Sequence, residues 1–346
     1  MPFARMARVV MAVGVVALLG SLAAPAHAVT IDWVTVGDPG NAADTAPAGY
    51  GDVADAFQIM KYEFTNQQYA DFLNTADANG TNPNSVYNTD MGSDARGGIN
   101  FTAGNASGSK YAVKPNMGDK PVNFVDWFAA ARVSNWLMNG ATGTSSTETG
   151  AYTLVGGTSG TAPAVNNGAT FYIPTDDQWY KAAYYKGGGT NAGYWDFATQ
   201  SDMIPTAVTA DGTGIGSAGS TGNFANYDFV ADWNGQDGNV TTVGTNSGAS
   251  AYGAFDMSGN VSDWNDLAAA FSSSKGLRGG KWLTIDAFYL SSSSRDTVSP
   301  DYEYDDIGFR LAAPVAVPEP STVVMGMAGL AGGYSLFRRQ RLNCSA

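Results

Sequence analysis

Apolar residues recur at helical spacing in three segments of the chain. In the first, Tyr69, Phe72, Leu73 and Ala76 lie three or four positions apart and follow Thr65, a residue that can cap a helix. This spacing predicts a helix with one apolar face turned towards a core.

Two further segments also begin at capping residues. Asp126 precedes a segment that reaches Met138 and ends at Asn139-Gly140. Thr175 has Gln178 three positions later, which is the pattern of a capping box, and the glycines at 187–189 end that segment. Short apolar runs at 57–62, 171–173, 277–283 and 308–312 predict strands. Because helices come early and strands late, without regular alternation, we predict an α+β fold.

Turn-forming residues fill the stretches between these elements. The chain has 43 glycines, clustered with Asn, Ser and Thr, and the loop character is clearest at 140–168 and 201–221. Neither stretch separates two halves that each look complete. We therefore predict one loop-rich domain.

The first 28 residues have the order of an export signal. Arg5 and Arg8 precede a largely apolar run at 9–22, and Ala26-His27-Ala28 offers a cleavage site with small residues. Because the run is shorter than the ~20 residues that span a bilayer, we predict a signal peptide rather than a membrane anchor. The mature chain would begin at Val29.

The other end carries a second targeting pattern. Residues 317–322 read Val-Pro-Glu-Pro-Ser-Thr, an apolar stretch occupies 322–337, and 338–341 are Arg-Arg-Gln-Arg. As a helix the stretch would cover roughly 24 Å, near the minimum for a transmembrane segment, and the basic cluster would stay on the cytoplasmic side. The order of elements closely resembles the PEP-CTERM sorting tail of exopolysaccharide-producing Gram-negative bacteria. The resemblance implies a transient anchor, processing by an exosortase-type protease, and release to the cell envelope or the exterior; a permanent single-span anchor is the alternative.

The predicted mature body is strongly acidic. The chain has 18 Lys and Arg against 31 Asp and Glu, and the two termini hold five of the arginines and one of the glutamates, which leaves a net charge of −17 for residues 29–317. Such a surface should repel nucleic acid and anionic membranes, and it offers oxygen ligands for Ca²⁺.

Cysteine and histidine are confined to the removable ends. Cys344 and His27 are the single residues of their types, so the predicted mature body has no thiol and no imidazole. This excludes a disulfide, a cysteine nucleophile, a histidine base, and thiolate or imidazole ligands for copper, zinc or non-haem iron.

Several motifs follow one another in an order that identifies a family. They are Phe57-Gln58-Ile59-Met60-Lys61-Tyr62-Glu63-Phe64-Thr65-Asn66-Gln67-Gln68-Tyr69, Pro121-Val122 before Asn135-Trp136-Leu137, Ile173-Pro174-Thr175-Asp176-Asp177-Gln178-Trp179, Tyr252-Gly253-Ala254-Phe255-Asp256-Met257-Ser258-Gly259-Asn260-Val261-Ser262-Asp263-Trp264, Leu277-Arg278-Gly279-Gly280, and Ile307-Gly308-Phe309-Arg310. Their order resembles that of the formylglycine-generating enzyme, or sulfatase-modifying factor, family over residues 55–311.

The resemblance implies a compact, loop-rich fold, often described as a variant of the C-type lectin fold. We accordingly divide the chain into a signal peptide at 1–28, an N-terminal extension at 29–54, a sulfatase-modifying factor domain at 55–312 and a sorting tail at 313–346, with the membrane segment at 322–337.

Family enzymes oxidise a cysteine of a sulfatase peptide to formylglycine with molecular oxygen and a copper ion held by two thiolates. By position, the two family cysteines correspond to Thr284 and Tyr289, and the serine that commonly follows the glycine pair corresponds to Lys281. Because hydroxyl oxygens do not replace soft thiolates as ligands of Cu(I), we expect no copper and a degenerate cleft.

The resemblance also implies two Ca²⁺ sites. One would use the side chains of Asp256 and Asp263 and the carbonyls of Gly259 and Val261. The other would combine four residues from a neighbouring loop, namely the side chains of Asn226 and Asp237 and the carbonyls of Tyr227 and Asn239. The alternative for both is a network in which these side chains bond their own backbone.

Three other groups of residues are candidates for a functional or structural role. Asp176-Asp177 lies in the first turn of a helix, where we expect a structural role. The acidic residues at 301–306 can hold metal or hydrolyse a glycoside as a carboxylate pair, but we expect a solvated loop. The tryptophans inside the motifs, Trp127, Trp136, Trp179 and Trp264, are expected in the core, whereas Trp33, Trp195 and Trp233 can form a sugar-stacking surface or pack ordinarily.

Two functional hypotheses follow from these patterns. The first is an exported, non-catalytic, Ca²⁺-stabilised scaffold whose cleft binds a peptide, protein or glycan at the cell surface or in the exopolysaccharide matrix. The second is an exported enzyme, either a formylglycine-type modifying enzyme or a hydrolase with a carboxylate pair beside Thr284 and Tyr289.

Overall fold

A computed structural model describes residues 29–218, 222–246, 248–267 and 272–315. The strands are β1 (Trp33–Val36), β2 (Phe57–Met60), β3 (Ile99–Phe101), β4 (Tyr111–Val113), β5 (Thr206–Ala207), β6 (Phe224–Ala225), β7 (Ser262–Asn265), β8 (Lys275–Arg278), β9 (Asp296–Val298), β10 (Ile307–Gly308) and β11 (Ala312–Pro314). The helices are α1 (Asn66–Ala76), α2 (Asp90–Ser93), α3 (Trp127–Met138), α4 (Asp176–Tyr184) and one 3₁₀ helix, Ala287–Leu290. The predicted α+β class and single domain are confirmed.

Two small sheets organise the fold. The first has the order β1-β2-β11 with antiparallel pairs, so strands from both ends of the described chain flank β2. The second has the order β10-β7-β8-β9, in which β10 is parallel to β7 and the other pairs are antiparallel. Because β1 lies within residues 29–54, the segment that we predicted as an extension contributes an edge strand to the folded unit.

All three predicted helices are present with their predicted caps. Thr65 and Thr175 each form a complete capping box with the glutamine three residues later, and the Asp126 side chain accepts a hydrogen bond from the Ala129 amide. Local side-chain chemistry therefore fixes where each helix begins.

The predicted strands differ from the observed ones in position and length. The strand predicted at 277–283 is β8, which ends at Arg278, because Gly279 and Gly280 have φ angles of +95° and +71° and turn the chain away. The run at 171–173 forms only an isolated bridge between Tyr172 and Ala312. The run at 308–312 is divided between β10 and β11.

Aromatic side chains fill the core, and the four motif tryptophans are all fully buried there. The other three do not form the predicted sugar-stacking surface. Trp233 is buried and donates its indole N–H to the Val240 carbonyl at 2.8 Å. Trp33 packs on Phe171, at 6.0 Å between ring centroids, and Trp195 lies under the Lys186 ammonium.

No helix within the described ranges is both long and apolar enough to cross a membrane. The predicted signal peptide at 1–28 and the predicted membrane segment at 322–337 lie outside the described residues.

Candidate functional site

A cleft of about 370 Å³ opens where β8 ends. The glycine turn at 279–280 sends the chain along one wall, and β9 borders the opposite side. Lys281, Thr284 and Tyr289 all line this cleft, so the structure brings together the three positions that the sequence singled out.

Thr284 is part of the framework of the cleft wall. Its hydroxyl oxygen accepts a hydrogen bond from the Lys281 amide at 3.2 Å, and its own amide donates to the Lys281 carbonyl at 3.0 Å. The residue is buried, whereas Tyr289 stands exposed at the rim. Thr284 therefore closes a turn, and its hydroxyl is held by the backbone.

Both cations of the cleft are neutralised by carboxylates behind it. Lys281 Nζ lies 2.7 Å from Asp306 Oδ2. Arg278 makes a bidentate pair with Asp176, at 2.6 and 3.0 Å, and Arg295 approaches the same carboxylate at 3.2 Å. Asp176, at the start of α4, thus has the structural role that we predicted.

The acidic run at 301–306 is not the fully solvated loop that we predicted. Asp306 is buried because it pairs with Lys281, and Asp305 is partly buried beside Arg96. Glu303 accepts a hydrogen bond from Asn88 at 2.6 Å, and burial, reinforced by the charge of Asp301, raises the pKa of Glu303 to about 7. Asp301 alone of the four acids is exposed.

A buried polar network lies behind the second sheet and contains the first predicted calcium set. Asp263 Oδ2 accepts hydrogen bonds from Arg310 Nε at 2.6 Å and from Trp179 Nε1 at 3.0 Å. Both oxygens of Asp256 accept hydrogen bonds, from the Gly244 amide and the Asn246 side chain. Asp256 is therefore engaged through both oxygens, whereas Asp263 is engaged through Oδ2 and its buried Oδ1 has no hydrogen-bond partner.

Glu63, which our sequence reasoning did not single out, belongs to the same network. It is fully buried, and its carboxyl oxygens accept hydrogen bonds from Asn260 Nδ2 at 2.7 Å and from the Val261 amide at 3.3 Å. Burial first, and then the charges of Asp256 and Asp263, raise the pKa of Glu63 well above its usual range. The sequence does give an indication of this buried role, because Glu63 is a charged residue between the aromatic residues Tyr62 and Phe64.

The second predicted calcium set has a different environment. Three oxygens surround Asn226 Nδ2: Asn239 O at 2.9 Å, Asn260 Oδ1 at 3.1 Å and Thr241 Oγ1 at 3.2 Å. An amide nitrogen has only two hydrogens to donate, while the buried Asn226 Oδ1 has no hydrogen-bond partner. Tyr227 is buried beside it and Asp237 is exposed on the loop.

The oxygens around Asn226 are mostly uncharged. Within the described ranges, no three acidic, histidine or cysteine side chains converge as a metal cluster would. A cation at Asn226 would therefore depend on amide and carbonyl oxygens, which are ligands that Ca²⁺ accepts.

No curated protein matches the chain. Among solved structures, CarF is similar at 22% identity and a TM-score of 0.46, over 83% of this chain and 99% of that chain. Variable protein 1 of Treponema denticola has 18% identity and a TM-score of 0.43, over 84% and 97% of the two chains. PvdO from Pseudomonas aeruginosa has 17% identity and a TM-score of 0.39, over 82% and 92%.

Two family models account for almost the whole chain. A PEP-CTERM protein-sorting motif matches residues 316–341. A sulfatase-modifying factor enzyme 1-like domain matches residues 27–315, which include every element described above, and the chain belongs to that family.

Proposed function

We propose that this protein is an exported, non-catalytic member of its family that acts as a binding scaffold at the cell surface or in the exopolysaccharide matrix. The sorting motif at 316–341 supports export to the cell envelope and processing by an exosortase-type protease. The observation that carries the non-catalytic role is that Thr284 and Tyr289, which correspond to the family cysteines by counting from Gly280, both line the cleft.

Residue chemistry supports this role. The family reaction needs two soft thiolates to hold Cu(I), and this cleft offers the hydroxyl of Thr284, which is bonded to the Lys281 amide, and the phenol of Tyr289. The single cysteine, Cys344, follows the sorting motif and is not part of the matched domain.

Oxygen uptake tests the non-catalytic role. We expect the purified protein, supplied with copper, reductant and a cysteine-containing peptide, to consume no more oxygen than the same mixture without protein. The variant carrying Thr284→Cys and Tyr289→Cys is the matched control, and we expect it to gain Cu(I) binding. Oxygen uptake by the unaltered protein that depends on the peptide would refute the proposal.

The hydrolase alternative requires a carboxyl with a raised pKa at the cleft. The acidic side chains that line the cleft are Asp286 and Asp296. Glu303, whose pKa is raised to about 7, does not line it, because its carboxyl is turned towards Asn88. The carboxyl of the acidic run whose pKa is raised therefore lies outside the cleft lining.

We further propose that Ca²⁺ stabilises the scaffold at the Asn226 set. The support is the group of oxygens around Asn226 and its unpartnered Oδ1, since rotation of the amide would present that oxygen to an ion. At the other predicted set, Asp256 has both oxygens hydrogen-bonded and Asp263 pairs with Arg310 through Oδ2, which leaves Asp263 Oδ1 as the unpartnered carboxylate oxygen of that set. Gly259 and Val261, whose carbonyls complete that set, lie beside the same engaged network.

Thermal unfolding tests the calcium proposal. Because an ion that binds only the folded state stabilises it by about 2.7 kcal/mol at 100 times its Kd, we expect Ca²⁺ to raise the melting temperature and a chelator to reverse the effect. Asn226→Ala, which removes the amide oxygen that would hold the ion, should abolish the rise, whereas Asp228→Asn, an exposed change nearby in sequence, should keep it. If Ca²⁺ leaves the melting temperature unchanged, the calcium proposal is wrong, while the non-catalytic role is unaffected.

A further inference from the structure

The rim of the cleft exposes an unusual number of aromatic and apolar side chains. On one side, Ile285, Phe288 and Tyr289 are 75%, 52% and 56% exposed. Tyr302 and Tyr304 are 42% and 47% exposed and pack on each other with ring centroids 4.3 Å apart. Exposed aromatic groups of this size commonly mark a binding surface.

The tyrosine pair is connected to the cleft through its neighbours. Asp306, two residues after Tyr304, holds Lys281 and accepts a hydrogen bond from the Ser262 amide at 2.8 Å, and Ser262 and Lys281 both line the cleft. The Tyr302 amide donates to the Ser299 carbonyl at 3.1 Å, and Ser299 directly follows β9, so a tight turn keeps Tyr302 close to the end of β9.

The charges that remain free in the cleft are negative. Arg278 and Lys281 pair with Asp176 and Asp306, and Arg295, which is not part of the cleft lining, shares Asp176 with Arg278. Neither Asp286 nor Asp296, which line the cleft, has a cationic partner in the part of the chain that the structure describes. The chain as a whole carries a net charge of −13, so the surrounding field has the same sign.

From the rim and the charges together, we propose that the cleft binds a polysaccharide that carries free amino groups. Tyrosine rings offer flat apolar faces for sugar rings and a hydroxyl at the tip, while Asp286 and Asp296 would bind the ammonium groups. Uronic acid polymers would be repelled. This proposal rests on the proposed binding role and names its ligand.

Two oligosaccharides of one backbone test this proposal. The probe is a β-1,4-linked glucosamine hexasaccharide, and its fully N-acetylated form is the control, since the two share ring shape and differ in charge. By calorimetry at low salt, we expect the amine form to bind at least tenfold more tightly. A uronic acid hexasaccharide should not bind.

Variants of the protein distinguish specific binding in the cleft from non-specific electrostatic attraction of a cationic sugar to an acidic protein. Asp286→Asn with Asp296→Asn should weaken binding of the amine form at least tenfold, since asparagine keeps the backbone hydrogen bonds that these side chains accept. Tyr302→Ala with Tyr304→Ala should weaken it similarly. Asp55→Asn, which removes one negative charge at an exposed position away from the cleft lining, should have no effect, and all variants should keep the wild-type melting temperature.

Several outcomes would overturn the proposal. These are equal binding of both hexasaccharides, no binding of either, equal loss in Asp55→Asn and the cleft variant, or tighter, rim-dependent binding of a lysine-rich peptide, which would identify a protein partner instead. If these binding tests fail and the unaltered protein consumes no oxygen, the non-catalytic scaffold role stands but the polysaccharide is not its ligand. Peptide-dependent oxygen uptake would instead refute the proposed function itself.

Discussion

At the scale of single residues, Arg310 is a fully buried cation that donates hydrogen bonds to three different groups. Its Nε donates to Asp263 at 2.6 Å, and its terminal nitrogens donate to the carbonyls of Met60 and Asp256 at 3.4 and 3.3 Å. Arg310 also lowers the pKa of Glu63, Asp256 and Asp263, in each case against a larger raising effect of burial. The positive charge of Arg310 thus favours the ionised form of three buried carboxyls.

Replacing Arg310 should therefore be severely destabilising. We expect Arg310→Met to lower the free energy of unfolding by roughly 3–5 kcal/mol, because the buried carboxylate of Asp263 loses its charge partner. Adding Asp263→Asn should recover part of the loss, and a double-mutant cycle from urea unfolding measures the coupling. A loss below about 1 kcal/mol in the single variant would contradict this account.

The positions that line the cleft can be located from the sequence, but the partners that determine their charge and hydrogen bonding cannot. Thr284 and Tyr289 were located by counting from Gly280, a distance that the chain itself fixes. The pairing of Lys281 with Asp306, and of Glu63 with Asn260, joins residues far apart in sequence, so no local pattern reveals it. Long-range contacts of this kind decide which charges of the site remain free.

At the scale of elements, local sequence was enough to predict the helices, whereas the strands depend on long-range contacts. The starts of α1, α3 and α4 were predicted correctly because a cap and its first turn lie within four residues. The strands are two to four residues long and are paired across the fold, as in β2 between β1 and β11. Their positions depend on partners rather than on a local period, so the sequence did not predict β1, β3, β4, β5, β6, β7 and β9.

The cap of α4 should matter to the site as well as to the helix. We expect Thr175→Ala to cost about 1 kcal/mol of stability, because the Gln178 amide loses its acceptor. Since α4 carries Asp176 to Arg278 and Trp179 to Asp263, fraying of its first turn should also loosen the cleft.

Thermal and chemical unfolding would measure the effect of this cap. Thr175→Ser keeps the hydroxyl and is the matched control, for which we expect a loss of at most a few tenths of a kcal/mol. Equal losses in the alanine and serine variants would show that the lost methyl group, rather than the cap, is responsible.

At the scale of the whole molecule, stability is coupled to acidity. Six buried or largely buried carboxyls, in Glu63, Asp126, Asp256, Asp263, Asp266 and Glu303, have a pKa raised chiefly by burial. The described part of the body has no disulfide, and its core contains several buried acids beside a slightly smaller number of buried bases. Titration of these acids links the fold to the pH of its surroundings.

The direction of that linkage can be stated for Glu303. Its pKa is about 7 in the folded protein against an ordinary value of 4.5, so the folded state binds the proton more tightly than the unfolded chain. Stability should therefore fall as the pH rises from about 4.5 to 7 and stay lower above that, with a contribution from this residue on the order of 2 kcal/mol. Glu303→Gln, which keeps an acceptor for Asn88, should flatten this part of the profile. Urea unfolding between pH 4.5 and 8.5 measures both curves, with Asp55→Asn as the exposed control, and parallel curves for Glu303→Gln and the wild type would rule out Glu303 as the titrating group.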